Sequence, residues 1–205
     1  MKAAHTEDPR TLVAALGDSI TAGQPGYDPD PGTQNLFGFG DDPRSSYEYW
    51  AGRKNPQLVF RNCGHFGLRT DQIAAQFDDC TDGAEALIVQ GGINNIVQGR
   101  PITAAAADLR EMVRRGKALH VPVAIADVLP WNTGPAGSAA QIRRLNRLID
   151  AIGRDEDVPV LPFHQTLADP ANPDLMPPRL TVEGEHPSVA GYRRLGLMVA
   201  ARFAP

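Results

Sequence analysis

The stretch Thr11-Leu12-Val13-Ala14-Ala15-Leu16-Gly17-Asp18-Ser19 is apolar on both alternations, stops at a glycine and then turns polar. A strand with one wet face alternates in polarity. This one does not, so it reads as a strand covered on both faces. Residues 58–62, 86–90 and 121–127 repeat the pattern, and a fifth run, 158–163, is interrupted by prolines. Helical patterns lie between and after these runs. Residues 70–77 carry Ile73, Ala74 and Phe77, and residues 103–119 begin at a candidate Thr103 cap and carry Leu109, Met112 and Val113. Residues 138–152 place Ile142, Leu145, Leu148, Ile149 and Ile152 at helical spacing, and residues 189–203 do the same with Leu195, Val199 and Phe203. Strand alternating with helix predicts right-handed crossovers and a parallel, doubly wound α/β sheet.

The chain of 205 residues with 42% hydrophobic content fits one domain over residues 1–205. A net charge of −4 offers no basic footprint for nucleic acid. The pairs Arg114-Arg115, Arg143-Arg144 and Arg193-Arg194 each fall inside a helical pattern and read as solvated faces. No apolar run reaches the roughly 20 residues needed to cross a bilayer. The first eight residues lack the apolar centre of a signal peptide, so the expected compartment is the cytoplasm. Cys63 and Cys80 make no disulfide framework, and free, partly buried thiols are the expected state. Residues 21–44, rich in glycine, proline and aspartate, show no convincing element and follow Ser19 directly, as a wall or lid over a site would.

In an open parallel sheet, ligands bind beyond the carboxyl ends of the strands. The first three strands end in Gly17-Asp18-Ser19, in Asn62-Cys63-Gly64-His65-Phe66-Gly67 and in Gly91-Gly92-Ile93-Asn94-Asn95. Glu183-Gly184-Glu185-His186-Pro187 precedes the last helix. Acyl transfer through a serine needs a nucleophile, a base, a group that orients the base, and donors for the oxyanion. Ser19 is the candidate nucleophile, with Asp18 bracing its turn by Asx-type bonds. His186 is the candidate base among five histidines. His65 is a minor rival, while His5 lies in the tail and His120 and His164 flank strands. Glu183, three residues before His186, can fold back to the imidazole; Glu185 is expected to point away. The candidate oxyanion donors are the Ser19 and Gly67 N–H groups and the Asn94 side-chain amide.

These blocks resemble those of the SGNH (GDSL-type) hydrolase superfamily. Gly17-Asp18-Ser19 matches the block that carries the nucleophile, and Asn62 through Gly67 the block whose glycine serves the oxyanion. Gly92-Ile93-Asn94-Asn95 resembles a block that is normally G-x-N-D, and Glu183 through Pro187 one that is normally D-x-x-H-P. The resemblance implies a flavodoxin-like three-layer αβα sandwich with a five-stranded parallel sheet. It also implies a cofactor-free and metal-free serine hydrolase, an esterase or acylhydrolase acting on a small-molecule ester, thioester or O-acetyl group. Two positions depart from the pattern. Asn95 replaces an Asp with a supporting role, and Glu183 stands where the triad Asp is expected, with a reach longer by roughly 1.5 Å.

Two other readings stay open at this point. One is a non-catalytic carbohydrate-binding relative; the other is a flavodoxin-like phosphate- or FMN-binding protein, suggested by Ser19-Ile20-Thr21-Ala22-Gly23 after the first strand. The candidate substrate contacts are Phe37, Asn95, Trp131 and Asn132, with Phe39 and Trp50 as further aromatics and Trp50 expected to pack on the sheet.

Overall fold

The computed structural model describes residues 10–203, so His5 and the stretch read for a leader lie outside the described residues. Five strands form one sheet: β1 (Thr11–Gly17), β2 (Leu58–Gly64), β3 (Ala86–Val89), β4 (Val123–Ala126) and β5 (Val160–Leu161). Their order is β2-β1-β3-β4-β5, and every neighbouring pair is parallel. The chain runs one way from β1 to β2 and the other way to β3, β4 and β5. The crevice at that reversal is where such sheets hold ligands.

The helices, in chain order, are α1 (Ser19–Ala22), α2 (Pro31–Phe37), α3 (Tyr47–Lys54), α4 (Thr70–Ala75) and α5 (Phe77–Thr81). They continue with α6 (Ile93–Val97), α7 (Ile102–Ala118), α8 (Ser138–Glu156), α9 (Phe163–Leu167) and α10 (Val189–Arg202). Strand alternation sorts them into two layers. Ala14, Leu16, Leu87 and Val89 pack with Ile73, Phe77, Leu109, Met112, Leu145 and Ile149 on one face. Val13, Ala15, Ile88 and Ala126 pack with Ile20, Tyr47, Phe163, Tyr192 and Leu195 on the other. The three-layer αβα sandwich follows directly, because each strand must bury both of its faces.

Several local expectations change. Thr103 lies inside α7, whose N-cap is Pro101. The 70–77 pattern continues as two short helices that meet at Gln76. The 21–44 segment is not free of elements: it holds α2, where the Asp30 carboxylate accepts from the Gly32 and Thr33 N–H groups and Pro31 takes the first helical position. That cap-and-proline signal is present in the sequence, but α2 buries none of its residues, so no apolar period marks it. The expectation of free thiols is corrected as well. Cys63 and Cys80 form a disulfide with a Cα–Cα distance of 6.0 Å. The turn from α4 into α5 brings the chain back beside β2, a juxtaposition that cysteine spacing alone does not reveal. Among the described residues, no helix is long and apolar enough to cross a membrane.

Candidate active site

β1 ends at Gly17, and Asp18 caps α1 by accepting the Ile20 N–H at 3.0 Å. Ser19 is therefore the first residue of a helix, where a backbone N–H has no acceptor within the helix. Neighbouring strands fix this turn. Gln90 Oε1, at the end of β3, accepts from the Asp18 N–H at 3.1 Å and the Thr21 hydroxyl at 2.9 Å. Asn62 Nδ2, on β2, donates to the Thr21 carbonyl at 2.8 Å. Gly64 lies so close to α1 that a Cβ there would overlap the Ala22 backbone. Asp18 is fully buried, and burial pushes its carboxyl up to about 6. Gln90 was not read as a site residue; its signal was an amide closing an otherwise apolar strand.

The segment before α10 makes a tight loop. The Val182 N–H donates to the His186 carbonyl at 3.0 Å, the Thr181 hydroxyl donates to the same oxygen at 2.8 Å, and Gly184 N–H donates to Thr181 Oγ1 at 2.9 Å. Gly184 takes φ +95°, a conformation that lets the chain reverse between Glu183 and His186. His186 Nε2 lies 3.0 Å from Ser19 Oγ. On the other side of the ring, Nδ1 is hydrogen-bonded to Glu183 Oε1, and the His186 N–H donates to Glu183 Oε2 at 3.3 Å. The longer glutamate reaches because it folds back within the loop. Burial depresses the His186 pKa, but the Glu183 hydrogen bond and the charges of Glu183, Glu185 and Asp18 outweigh it, and the net shift is upward. The burial of Glu183 acts to raise its own pKa, yet pairing with His186 holds it below its ordinary value.

Two further loops follow β2 and β3, the strands that flank β1. Gly67 takes φ +69° between β2 and α4, its carbonyl accepts from Gln98 Nε2 at 2.9 Å, and among the described residues nothing accepts from its N–H. Asn94, on α6, donates one amide hydrogen to the Leu68 carbonyl at 3.1 Å, which leaves a second for a ligand. Asn95 is wholly buried: its Oδ1 accepts the Thr70 N–H at 3.0 Å and its Nδ2 contacts Thr70 Oγ1 at 3.0 Å. That placement makes it a brace for the loop.

The remaining candidates sit as follows. Trp131 packs against the core on the α7–α8 face. The Asn132 side chain bonds both Met176 O (2.9 Å) and Met176 N–H (2.7 Å), and its own N–H donates to Gly184 O at 2.7 Å, so it supports the His186 loop. Phe37 is half exposed and clusters with Phe39 and Phe66. Trp50 packs beside the core on the α10 face. His65 is exposed and shares no hydrogen bond with Ser19. Among the described residues, no group of three or more His, Cys, Asp or Glu side chains is placed to hold a metal ion.

Comparison with curated proteins yields no significant match. Solved structures share the fold. A G-D-S-L family protein from Desulfitobacterium hafniense DCB-2 superposes with a TM-score of 0.76 at 22% identity, over 94% of this chain and 99% of the other. A member of the lipolytic protein G-D-S-L family from Veillonella parvula DSM 2008 gives 0.74 at 20% identity, over 94% and 98%. A lipase/acylhydrolase from Enterococcus faecalis gives 0.71 at 17% identity, over 94% of each chain. The model of the GDSL-like Lipase/Acylhydrolase family matches residues 15–194, a span that runs from the end of β1 into α10 and takes in every loop of the site. The chain belongs to the GDSL-like lipase/acylhydrolase family.

Proposed function

We propose that this protein is a serine esterase that cleaves carboxylic esters through an acyl-enzyme on Ser19. The observation that carries the reading is the continuous line Ser19 Oγ, His186 Nε2, His186 Nδ1, Glu183 Oε1. With Glu183 accepting from Nδ1–H, neutral His186 presents its unprotonated Nε2 to the serine hydroxyl.

The Ser19 oxygen attacks the ester carbonyl while its proton passes to Nε2. The negative charge that develops on the carbonyl oxygen is met by the Ser19 N–H, the Gly67 N–H and the free hydrogen of the Asn94 amide. Donors of this kind are each worth roughly 3–4 kcal/mol in the transition state. As the intermediate collapses, the imidazolium gives its proton to the leaving alcohol oxygen, and the acyl group remains on Ser19. Water then attacks the acyl-enzyme, loses a proton to Nε2, and the carboxylic acid leaves as the proton returns to Ser19.

A fluorophosphonate probe tests this, because only an activated serine displaces its fluoride. Wild type should label at Ser19 and hydrolyse p-nitrophenyl acetate. Ser19→Ala should not label, and its turnover should fall by roughly 10⁴-fold or more at unchanged thermal stability. Near-normal turnover in that variant would remove Ser19 from the mechanism.

A further inference from the structure

β2 lies at the edge of the sheet and pairs with β1 alone. In a parallel ladder, successive residues turn their backbone groups alternately toward and away from a neighbouring strand. Thr11 N–H donates to Gln57 O at 2.8 Å and His65 N–H to Gly17 O at 3.1 Å, so the odd-numbered residues from 57 to 65 face β1. Leu58, Phe60, Asn62 and Gly64 therefore face outward. Leu58 N–H is satisfied by Asn55 O at 3.0 Å, and Gly64 N–H by Asn62 Oδ1 at 2.9 Å. Among the described residues nothing accepts from the Phe60 and Asn62 N–H groups, and nothing donates to the Leu58, Phe60 and Asn62 carbonyls.

A groove of about 440 Å³ follows this edge, a volume within the range of about 300–1,000 Å³ typical of ligand clefts. Leu58, Phe60 and Asn62, the residues with open backbone groups, all line it, together with Tyr27 and Pro43 before α3 and Tyr49 and Gly52 within it. Gly52 keeps the groove open, because a Cβ there would stand 3.5 Å from Leu58 O. The spacing of the open groups points to the occupant. At about 3.3 Å per residue they recur about every 6.6 Å, the repeat that an added strand presents along its own backbone. A second copy of β2 would bring the same walls with it, and two recessed edges do not reach the roughly 4.8 Å at which strands pair. Charge restricts the occupant further. Arg53 and Lys54, exposed in the last turn of α3, lie between the groove residues Gly52 and Pro56. Glu48, the acid that lines the groove, is kept protonated at neutral pH by burial, which pushes its carboxyl up to about 8.

We propose that the β2 edge binds an extended peptide segment of a partner protein, apolar where it meets Tyr27 and Tyr49 and acidic where it passes Arg53 and Lys54. Strand Leu58–Asn62 is matched by a segment of about five residues. The proposal stands apart from the esterase reading and concerns a different edge of the molecule.

The probe is a fluorescein-labelled peptide of sequence Asp-Asp-Val-Thr-Val-Thr-Val, followed by anisotropy at low salt. It should bind saturably with a Kd below about 100 μM. Two methylated forms separate strand addition from loose apolar contact, one methylated on the valine nitrogens and one on the threonine nitrogens. Only one set faces β2, so one form should bind at least about tenfold more weakly and the other within about twofold of the parent. Gly52→Leu, which fills the groove from α3, should weaken binding at least about tenfold at unchanged circular dichroism. Arg53→Glu/Lys54→Glu should weaken it about tenfold at low salt and much less at high salt. By amide exchange, Phe60 and Asn62 should be open in the protein alone and slowed at least about tenfold by saturating peptide, with Val59 and Arg61 protected throughout. Absence of binding up to about 1 mM, or binding indifferent to both methylation and Gly52→Leu, overturns the proposal. Protection of Phe60 and Asn62 before peptide is added overturns it too, because a second copy or another part of the chain would then hold the edge.

Discussion

Glu183 is the residue at which this chain departs from the family's usual triad, and its effect on His186 can be measured. In the proposed mechanism His186 accepts the serine proton only when neutral, so kcat/KM should fall as pH drops through its pKa. The net effect of burial and carboxylate charge is to raise that pKa above its ordinary value of 6.5. The acid limb of the pH–rate profile should therefore be centred above pH 6.5. Glu183→Gln removes the charge and offers Nδ1 a weaker and ambiguous partner. It should shift that limb downward and lower kcat by roughly 100-fold or more. A profile unchanged by the substitution would mean that another group sets the base. Ser19, His186 and Glu183 were legible as a chemical set because each sits at a turn with a defined offset. Gln90 was not. The amide that closes an otherwise apolar strand marks it as unusual, but its partners follow only from β3 lying beside β1.

At the scale of elements, α3 carries a cost that grows with pH. Glu48 lies within it, only 5% exposed, and burial pushes its carboxyl up to about 8 from an ordinary 4.5. Between those values the folded protein keeps a proton that the unfolded chain has released. Stability should thus be full below about pH 4.5, decline by up to roughly 1.4 kcal/mol per pH unit as pH rises, and level off above 8. Glu48→Gln should be close to neutral at pH 5 and increasingly stabilising toward pH 9, read from urea midpoints. A constant difference across that range would show that Glu48 ionises in the folded state at its ordinary pKa. This helix was missed in the sequence, as was α2, for a shared reason. Each of these elements is shorter than the window over which helical periodicity shows. The strands and the long helices α7 and α8 were legible because packing on the sheet imposes a period upon them.

Across the whole molecule, the disulfide Cys63–Cys80 ties the end of β2 to the end of α5 over a separation of 17 residues. Closing a loop of about that length restrains the unfolded chain by roughly 3 kcal/mol. Reduction, or the double variant Cys63→Ser/Cys80→Ser, should lower the unfolding free energy by about 2–4 kcal/mol, measured in guanidinium with and without reductant. No change in the midpoint would mean that the pair is already reduced under the assay conditions. The architecture itself was readable from the alternation of strand and helix. The pairing was not, because it depends on how two short helices turn back against a strand.

Ser19 and the His186 ring that faces it are separated by 167 positions along the chain. The two facing groups therefore come from distant stretches of the chain, and one of them leaves the ribosome long after the other. A nascent chain can complete β1 and the Asp18 cap and still lack the imidazole that faces Ser19. In the proposed mechanism, hydrolysis then reports synthesis through residue 186: a product arrested before residue 183 would hold Ser19 and be inert.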